Sequence, residues 1–403
     1  MNTRRAVLGG AGAAILAGLG YRAWDRGVFE AGDGPAFRPW MNWLGHAGDG
    51  IRRPLHAAIL AANPHDTQPW LFAINGNTID VIADRARNLG SFDPFRREMQ
   101  LGLGCAIENL QFTAYLLGFF SHVNVATGKL SPSPANDPVT VAQLTLWRKN
   151  APDGDDVEPD GPRIADLAGA IPMRHTNRGP YHRDRLISAT LRNAFHKLVD
   201  GRDMRLVLID DNIARSEFAA LEVEATQRII DDPQMSADSA HWFRSGKREI
   251  EQHRDGVTLD TSGLSLPMVV GAKMLPDPDA RTADKYWLDM TRDTHAGTAA
   301  LFGMILVRDR LDMASAIAAG RAWQRLHLMA TLHGIAAQPM NQPVEMVDRN
   351  AMLGRPDSFA RAMLHFSRMP GWEPTFTFRM GYAQRPAGPS PRRPLHDVIV
   401  GRG

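Results

Sequence analysis

A single cysteine among 403 residues excludes an internal disulfide framework. Cys105 lies in an apolar stretch with no adjacent cation, which marks it as a core residue rather than a reactive thiol. An excess of one charge sign is also missing. Lys plus Arg total 46 against 44 Asp plus Glu, a formal +2, so no global field favours nucleic acid. Phosphate-loop, His-Glu-x-x-His, Cys-x-x-Cys and Gly-x-Ser-x-Gly patterns are lacking. Gly102-x-Gly104 has Ile107 where a dinucleotide fingerprint needs its third glycine, and no clear strand precedes it. His327 and His333, six apart, do not share a helical face, so no metal site is expected. Past residue 20 no apolar run is long enough to span a bilayer.

An apolar content of 44% supports substantial cores in one two-lobed body or two to three domains. Residues 1–30 carry Arg4-Arg5 followed by a Gly/Ala-rich apolar stretch to Gly20, which resembles a twin-arginine export signal, with Val7 in place of the usual aromatic. No Ala-x-Ala cleavage pattern follows. Periplasmic location, or retention as an inner-membrane anchor facing the periplasm, is therefore the expectation.

The run Ala62-Asn63-Pro64-His65-Asp66-Thr67-Gln68-Pro69-Trp70 closes an amphipathic segment in which Leu55, Ala58, Ile59 and Ala62 share one helical face, with Pro64 as its stop. Trp70 to Ile74 and Thr78 to Ala83 then read as two strands around Asn75-Gly76-Asn77. This polar corner resembles the flavin-contacting turn of the nitroreductase family. More narrowly, residues 50–400 resemble its long, internally duplicated FMN-binding branch, which includes the Acg-type proteins of mycobacteria. The resemblance implies an α+β fold with FMN as cofactor. It also implies an oxidoreductase that passes hydride or electrons from a donor such as NAD(P)H to nitroaromatic or quinone-like acceptors. A flavin-storage or stress protein with little turnover is the alternative, and a flavin-free periplasmic solute-binding protein is a third class.

A repeat accompanies the resemblance. Gly104, Ala106, Leu110, Ala114, Leu116 and Gly118 recur 216 residues later as Gly320, Ala322, Leu326, Ala330, Leu332 and Gly334, in two helices apolar on nearly every face. Two tandem units at 50–150 and 166–403, joined by a Pro/Gly-rich linker at 151–165, would form an intrachain pseudo-dimer around buried central helices. The second unit carries a lid-like insertion at about 215–296, far beyond ordinary loop length. Such a chain is expected as a monomeric pseudo-dimer or weak homo-oligomer.

By resemblance, Arg174 and Arg178 are phosphate ligands, and His175, Thr176 and Asn177 between them face the ribityl chain. Guanidinium suits this role because its donors pair with phosphate oxygens bidentately. Arg392 and Arg393 form a second basic pair directed to the phosphate. His65, Asp66, Thr67 and Gln68 make one wall, and Gln338, Pro339, Met340 and Asn341 lie beside the ring, where backbone donors would stabilise developing charge. The phosphate anchors and the Gln-Pro-Trp corner occur in different halves, which favours one flavin per chain. Asp66 replaces the Asn usual in the family. An ionised carboxylate near the ring opposes negative charge there, so Asp66→Asn is expected to raise the flavin midpoint potential.

Overall fold

The computed structural model describes residues 17–148 and 162–401. Arg4-Arg5 of the expected signal and most of the expected linker lie outside the described residues. The first unit opens with α1 (Arg53–Ala58), followed by the hairpin β1 (Trp70–Asn75) and β2 (Thr78–Ala83), turned at Gly76 with φ 57°. Next come α2 (Arg97–Leu116), β3 (Phe119–Val125) and β4 (Val139–Arg148). α1 stops four residues earlier than the apolar spacing suggests. Residues 59–61 leave the helix, and Leu60 and Ala61 offer their carbonyl groups to Arg174 and Arg392.

After a short helix at Ile164–Ala170, the second half of the chain continues with α3 (Ala189–Val199) and β5 (Met204–Ile209). Where β1 and β2 are joined by two residues, β5 is followed by a long excursion containing α4 (Asn212–Ile230), α5 (Leu266–Met274) and α6 (Ala280–Met290). The chain then continues through β6 (Leu301–Val307), α7 (Met313–Leu332), β7 (Ala336–Pro339), α8 (Gln342–Met352) and β8 (Glu373–Gly381). The first sheet has strand order β1-β2-β4-β3 and the second β5-β6-β8-β7, both wholly antiparallel. The order is the same in both, and in each unit the buried helix follows the second strand.

α2 and α7 cross at the glycines of the repeat. A Cβ on Gly104 would collide with the carbonyl oxygen of Ile317, and one on Gly320 with that of Leu101. Ile317 stands 216 residues after Leu101, so the two close contacts are reciprocal. One turn further, Gln324 donates to Asn109 at 2.7 Å, and Glu108 accepts from Arg321 at 2.7 Å and from Arg325. The Cys105 thiol points at the Gly320 carbonyl, 3.1 Å away, and burial pushes its pKa up to about 12, in keeping with a core role.

The two halves of the chain meet again at the sheet edges. Phe72 donates its N–H to Val398 (2.8 Å) and accepts from Val400 (2.9 Å), so the C-terminal segment adds to β1. Asp93, grouped in the sequence with Arg96 and Arg97, caps α2 by accepting from the Glu98 and Met99 N–H groups. Arg97 is buried and pairs with Asp348 of α8 at 2.7 Å, a charge contact between the two units. Among the described residues, no helix is long and apolar enough to cross a membrane.

Two substitutions test the crossing. Gly104→Ala and Gly320→Ala should each destabilise the protein by about 3 kcal/mol in urea unfolding, because rigid backbone is the obstacle. Gly271→Ala on α5, where nothing lies within 4 Å, should stabilise by roughly 0.5–1 kcal/mol. Equal effects at all three positions would show that the crossing is looser than described.

Candidate functional site

Three residues of the corner, His65, Asp66 and Gln68, have left-handed backbone with φ of 46°, 57° and 50°. Side-chain-bearing residues adopt that region at a cost of about 1–2 kcal/mol each. Asn63 offsets it: its side-chain Oδ1 accepts from the Gln68 N–H at 2.7 Å, and its Nδ2 donates to Asp66 at 3.3 Å. The result turns Asp66 inward. Gln68 faces the other way, donating to the Arg254 carbonyl (2.8 Å) and accepting from the Arg393 N–H (2.8 Å). It therefore ties the corner to the insertion and to the C-terminal segment rather than facing a ligand.

Asp66 lines a narrow, partly open crevice of about 30 Å³ whose walls include Arg174, His175, Thr176, Arg178 and Arg392. The structure thus gathers the corner, the 174–178 segment and Arg392. Trp40, Asn63, Ser390 and the insertion residues Gly256, Val257 and Thr261 complete much of the lining. Arg174 donates to the Leu60 carbonyl at 2.8 Å, Arg178 to the Thr261 carbonyl at 3.1 Å, and Arg392 to Asp66 at 2.5 Å. Nε of Arg174, Nε of Arg392, Nδ1 of His175 and Oδ2 of Asp66 are buried without a partner among the described residues.

The crevice holds three guanidinium groups against one carboxylate. Burial, reinforced by Arg392, pushes Arg174 down to about 10. Burial also raises Asp66, although Arg392 opposes the shift. His175 is driven to about 3 by burial and then by Arg174, and His65 to about 4 by burial and then by Arg178. His295, buried beside Arg379 and Arg178, is likewise held neutral and has both ring nitrogens unpartnered among the described residues. Neutral imidazoles add no charge, so the excess is cationic. A phosphate group, carrying about −1.5 to −2 near pH 7, matches that excess, and the unpartnered Nε groups are donors of the required kind.

Other expected residues sit elsewhere. Asn177 ties its loop to the segment after β8, donating to the Arg385 carbonyl (2.7 Å) and accepting from the Gly179 N–H (2.9 Å). Thr67 is buried, and its carbonyl receives Arg87. Arg393 reaches Asp84 at 3.8 Å, outside the crevice lining. Gln338 accepts from Arg379 at 2.7 Å, while Pro339 ends β7 and pairs with Phe378. Met340 is packed in the core of the second unit, and Asn341 donates to Glu98. In the 338–341 segment the side chains of Gln338, Met340 and Asn341 are thus engaged away from the crevice. The carboxylate of Asp66 faces Arg392, so its first effect is to neutralise a cation of the anion cradle.

The sequence reading missed Trp40, whose ring meets His175 edge-on at 4.6 Å, lies 4.9 Å from the Arg392 guanidinium and donates to the Ser390 carbonyl at 2.8 Å. Nothing local marked it. Ser390, which accepts from Arg392 at 2.7 Å, was within reach because it stands two residues before that arginine. His295 carried no signal. Among the described residues no cluster of metal-ligating type occurs.

No protein-family model matches the chain. It is 25% identical over 374 residues to a Mycobacterium tuberculosis protein named "Putative NAD(P)H nitroreductase Rv3131", covering 91% of this chain and 95% of that one. Over 186 residues it is 25% identical to the acg protein of the same organism, with 45% of this chain and 51% of that one covered. Among solved structures, the FMN-dependent nitroreductase NfnB of Mycobacterium smegmatis, in complex with NADPH, aligns with 58% of this chain and 97% of its own at 18% identity and a TM-score of 0.37. The full-length relative supports the resemblance read from the motifs.

Two measurements follow from the electrostatics. Asp66→Asn should lower the melting temperature, because it leaves Arg392 buried without its counter-charge, yet should tighten inorganic phosphate binding roughly tenfold by calorimetry. Weaker phosphate binding in that variant would remove Arg392 from the anion site. The histidines give a pH test. A depressed pKa keeps its full stability above the unfolded value near 6.5 and loses it as pH falls, by at most about 1.4 kcal/mol per unit for each group. His175→Asn, neutral throughout, should start less stable than wild type at pH 7 and close the gap by pH 4.5. Parallel curves would mean that His175 does not resist protonation.

Proposed function

We propose that this chain is an FMN-dependent oxidoreductase of nitroreductase type, built as two tandem units at about 50–150 and 166–403. It takes reducing equivalents from a reduced nicotinamide and passes them to nitroaromatic or quinone-like acceptors. The carrying observation is the convergence of Arg174, Arg178 and Arg392, from segments more than two hundred residues apart, on one crevice with surplus positive charge. Similarity to a nitroreductase-named protein along 91% of the chain supports the same reading. The identical strand order of the two sheets and the reciprocal glycine crossing support the tandem arrangement.

Arg174, Arg178 and Arg392 would hold the phosphate, Thr176 the ribityl chain, and the 338–340 backbone would lie beside the ring. Bound there, FMN supplies the hydride and electron chemistry that amino-acid side chains lack. The protein contributes position and environment. Asp66 holds Arg392 in place, Trp40 and Thr261 help exclude water, and the buried imidazoles stay neutral, so they do not compete for the anion. Residues 1–30 act as a twin-arginine-type signal that sends the folded chain to the periplasm or holds it at the inner membrane.

The test begins with colour. Purified protein should carry one flavin per chain, be reduced by NADPH in stopped flow and be reoxidised by a quinone. Arg174→Gln should weaken FMN binding roughly 10- to 100-fold, the effect of losing one charge-assisted pair. Protein that neither retains nor takes up FMN sinks the proposal. Tight FMN binding with no reduction by nicotinamides would replace it with flavin storage.

A further inference from the structure

α5 buries its charge and exposes part of its apolar surface. Its one charged residue, Lys273, is buried and donates to the Gly27 carbonyl at 2.9 Å and to Asp260 at 2.8 Å. Leu266 and Met268 on the helix, and Leu275 just after it, are exposed at 57–66%. A helix at the surface of a water-soluble protein normally turns its charge outward and its leucines inward. Here Lys273 is buried on the same face as Val269, while Leu266 and Met268 face outward.

The helical segment 17–25 lies directly against it. Arg22 donates to the Met274 carbonyl at 2.8 Å and also to that of Leu275. Tyr21 and Trp24, with ring centroids 6.0 Å apart, are 66% and 62% exposed, and Phe29 in the following turn is more exposed still. These hydrogen bonds set Tyr21 and Trp24 beside the end of α5 that carries Leu275. Exposed apolar side chains gathered in this way mark an interaction site.

The chain that leads into this surface indicates what covers it. From Ala6 to Tyr21 there is no charged side chain, and the run enters the patch at its aromatic pair. Lys247 lies 5.9 Å from the Trp24 ring, and its charge is paired with Glu30 as that of Arg26 is with Asp277. Tyr and Trp beside an apolar run have the chemistry of a lipid headgroup boundary.

We propose that the face formed by residues 17–29 and α5 is a bilayer-docking surface on the folded body, separate from any hold exerted by the N-terminal run itself. Leu266, Met268 and Leu275 enter the headgroup and upper acyl layer, with Tyr21 and Trp24 at its edge. The inference does not depend on whether a flavin is bound.

Native Cys105 is buried, so a cysteine introduced on α5 can be labelled selectively in the full chain. An environment-sensitive fluorophore on Met268→Cys should shift to the blue and brighten when phosphatidylcholine/phosphatidylglycerol vesicles are added. The same fluorophore on Met352→Cys, an exposed site outside the patch, should not respond. Full-chain Leu266→Ser/Met268→Ser/Leu275→Ser should abolish the vesicle response of a fluorophore at Trp24→Cys. Binding to vesicles with a silent probe at 268 would assign attachment to the N-terminal run alone and overturn the proposal. A probe at 268 already blue-shifted in buffer would also overturn it, by showing the surface covered by this chain or a second copy.

Discussion

Everything in this architecture depends on the backbone-to-backbone contact between α2 and α7. Two glycines let the helices approach until carbonyl oxygens occupy the space of absent side chains. That closeness leaves little room for adjustment, because backbone cannot rotate away as a side chain can. It fixes the angle and register of both helices, and with them the sheets that pack on either side. The polar pairs beyond the crossing, Asn109 with Gln324 and Glu108 with Arg321, extend the same register. Gln324 also accepts from the Ala62 N–H at 3.3 Å, so the crossing reaches the start of the His65-Asp66 corner.

The crevice above it concentrates costs that would not be tolerated without compensation. Guanidinium groups are removed from water, and three backbone positions take a disfavoured conformation. Part of the compensation is local: the carbonyls freed where α1 unwinds at Leu60 and Ala61 receive Arg174 and Arg392. Part comes from Asp66. The remainder is left as unpartnered donors among the described residues, which is why the geometry favours an anionic ligand over a neutral one.

Much of this was legible in the sequence, for identifiable reasons. Short-range signals carried the hairpin at Gly76, and the spacing of small residues carried the helix pair, because close approach can be made only by residues without bulk. The Arg-x-Thr-x-Arg segment and Arg392 were readable as a motif. Asn177 and Gln68 misled, since an amide that stitches loops together has the same letter as one that meets a ligand. Trp40 and His295 were invisible. Their place is set by long-range packing of the N-terminal segment and the insertion, which no local pattern encodes. The early end of α1 was hidden for the same reason, as its carbonyls are claimed by arginines from distant parts of the chain.

The separation of those parts has a kinetic side. Asp66 and Arg392 are 326 residues apart in sequence, and the C-terminal segment that brings Arg392 also pairs with β1. Contacts of such long range form late, after shorter loops have closed. The crevice is therefore a product of folding rather than a scaffold for it. A ligand that requires all three arginines has nothing to bind on a partly folded chain, so its capture reports that the distant segments carrying them have met and locked.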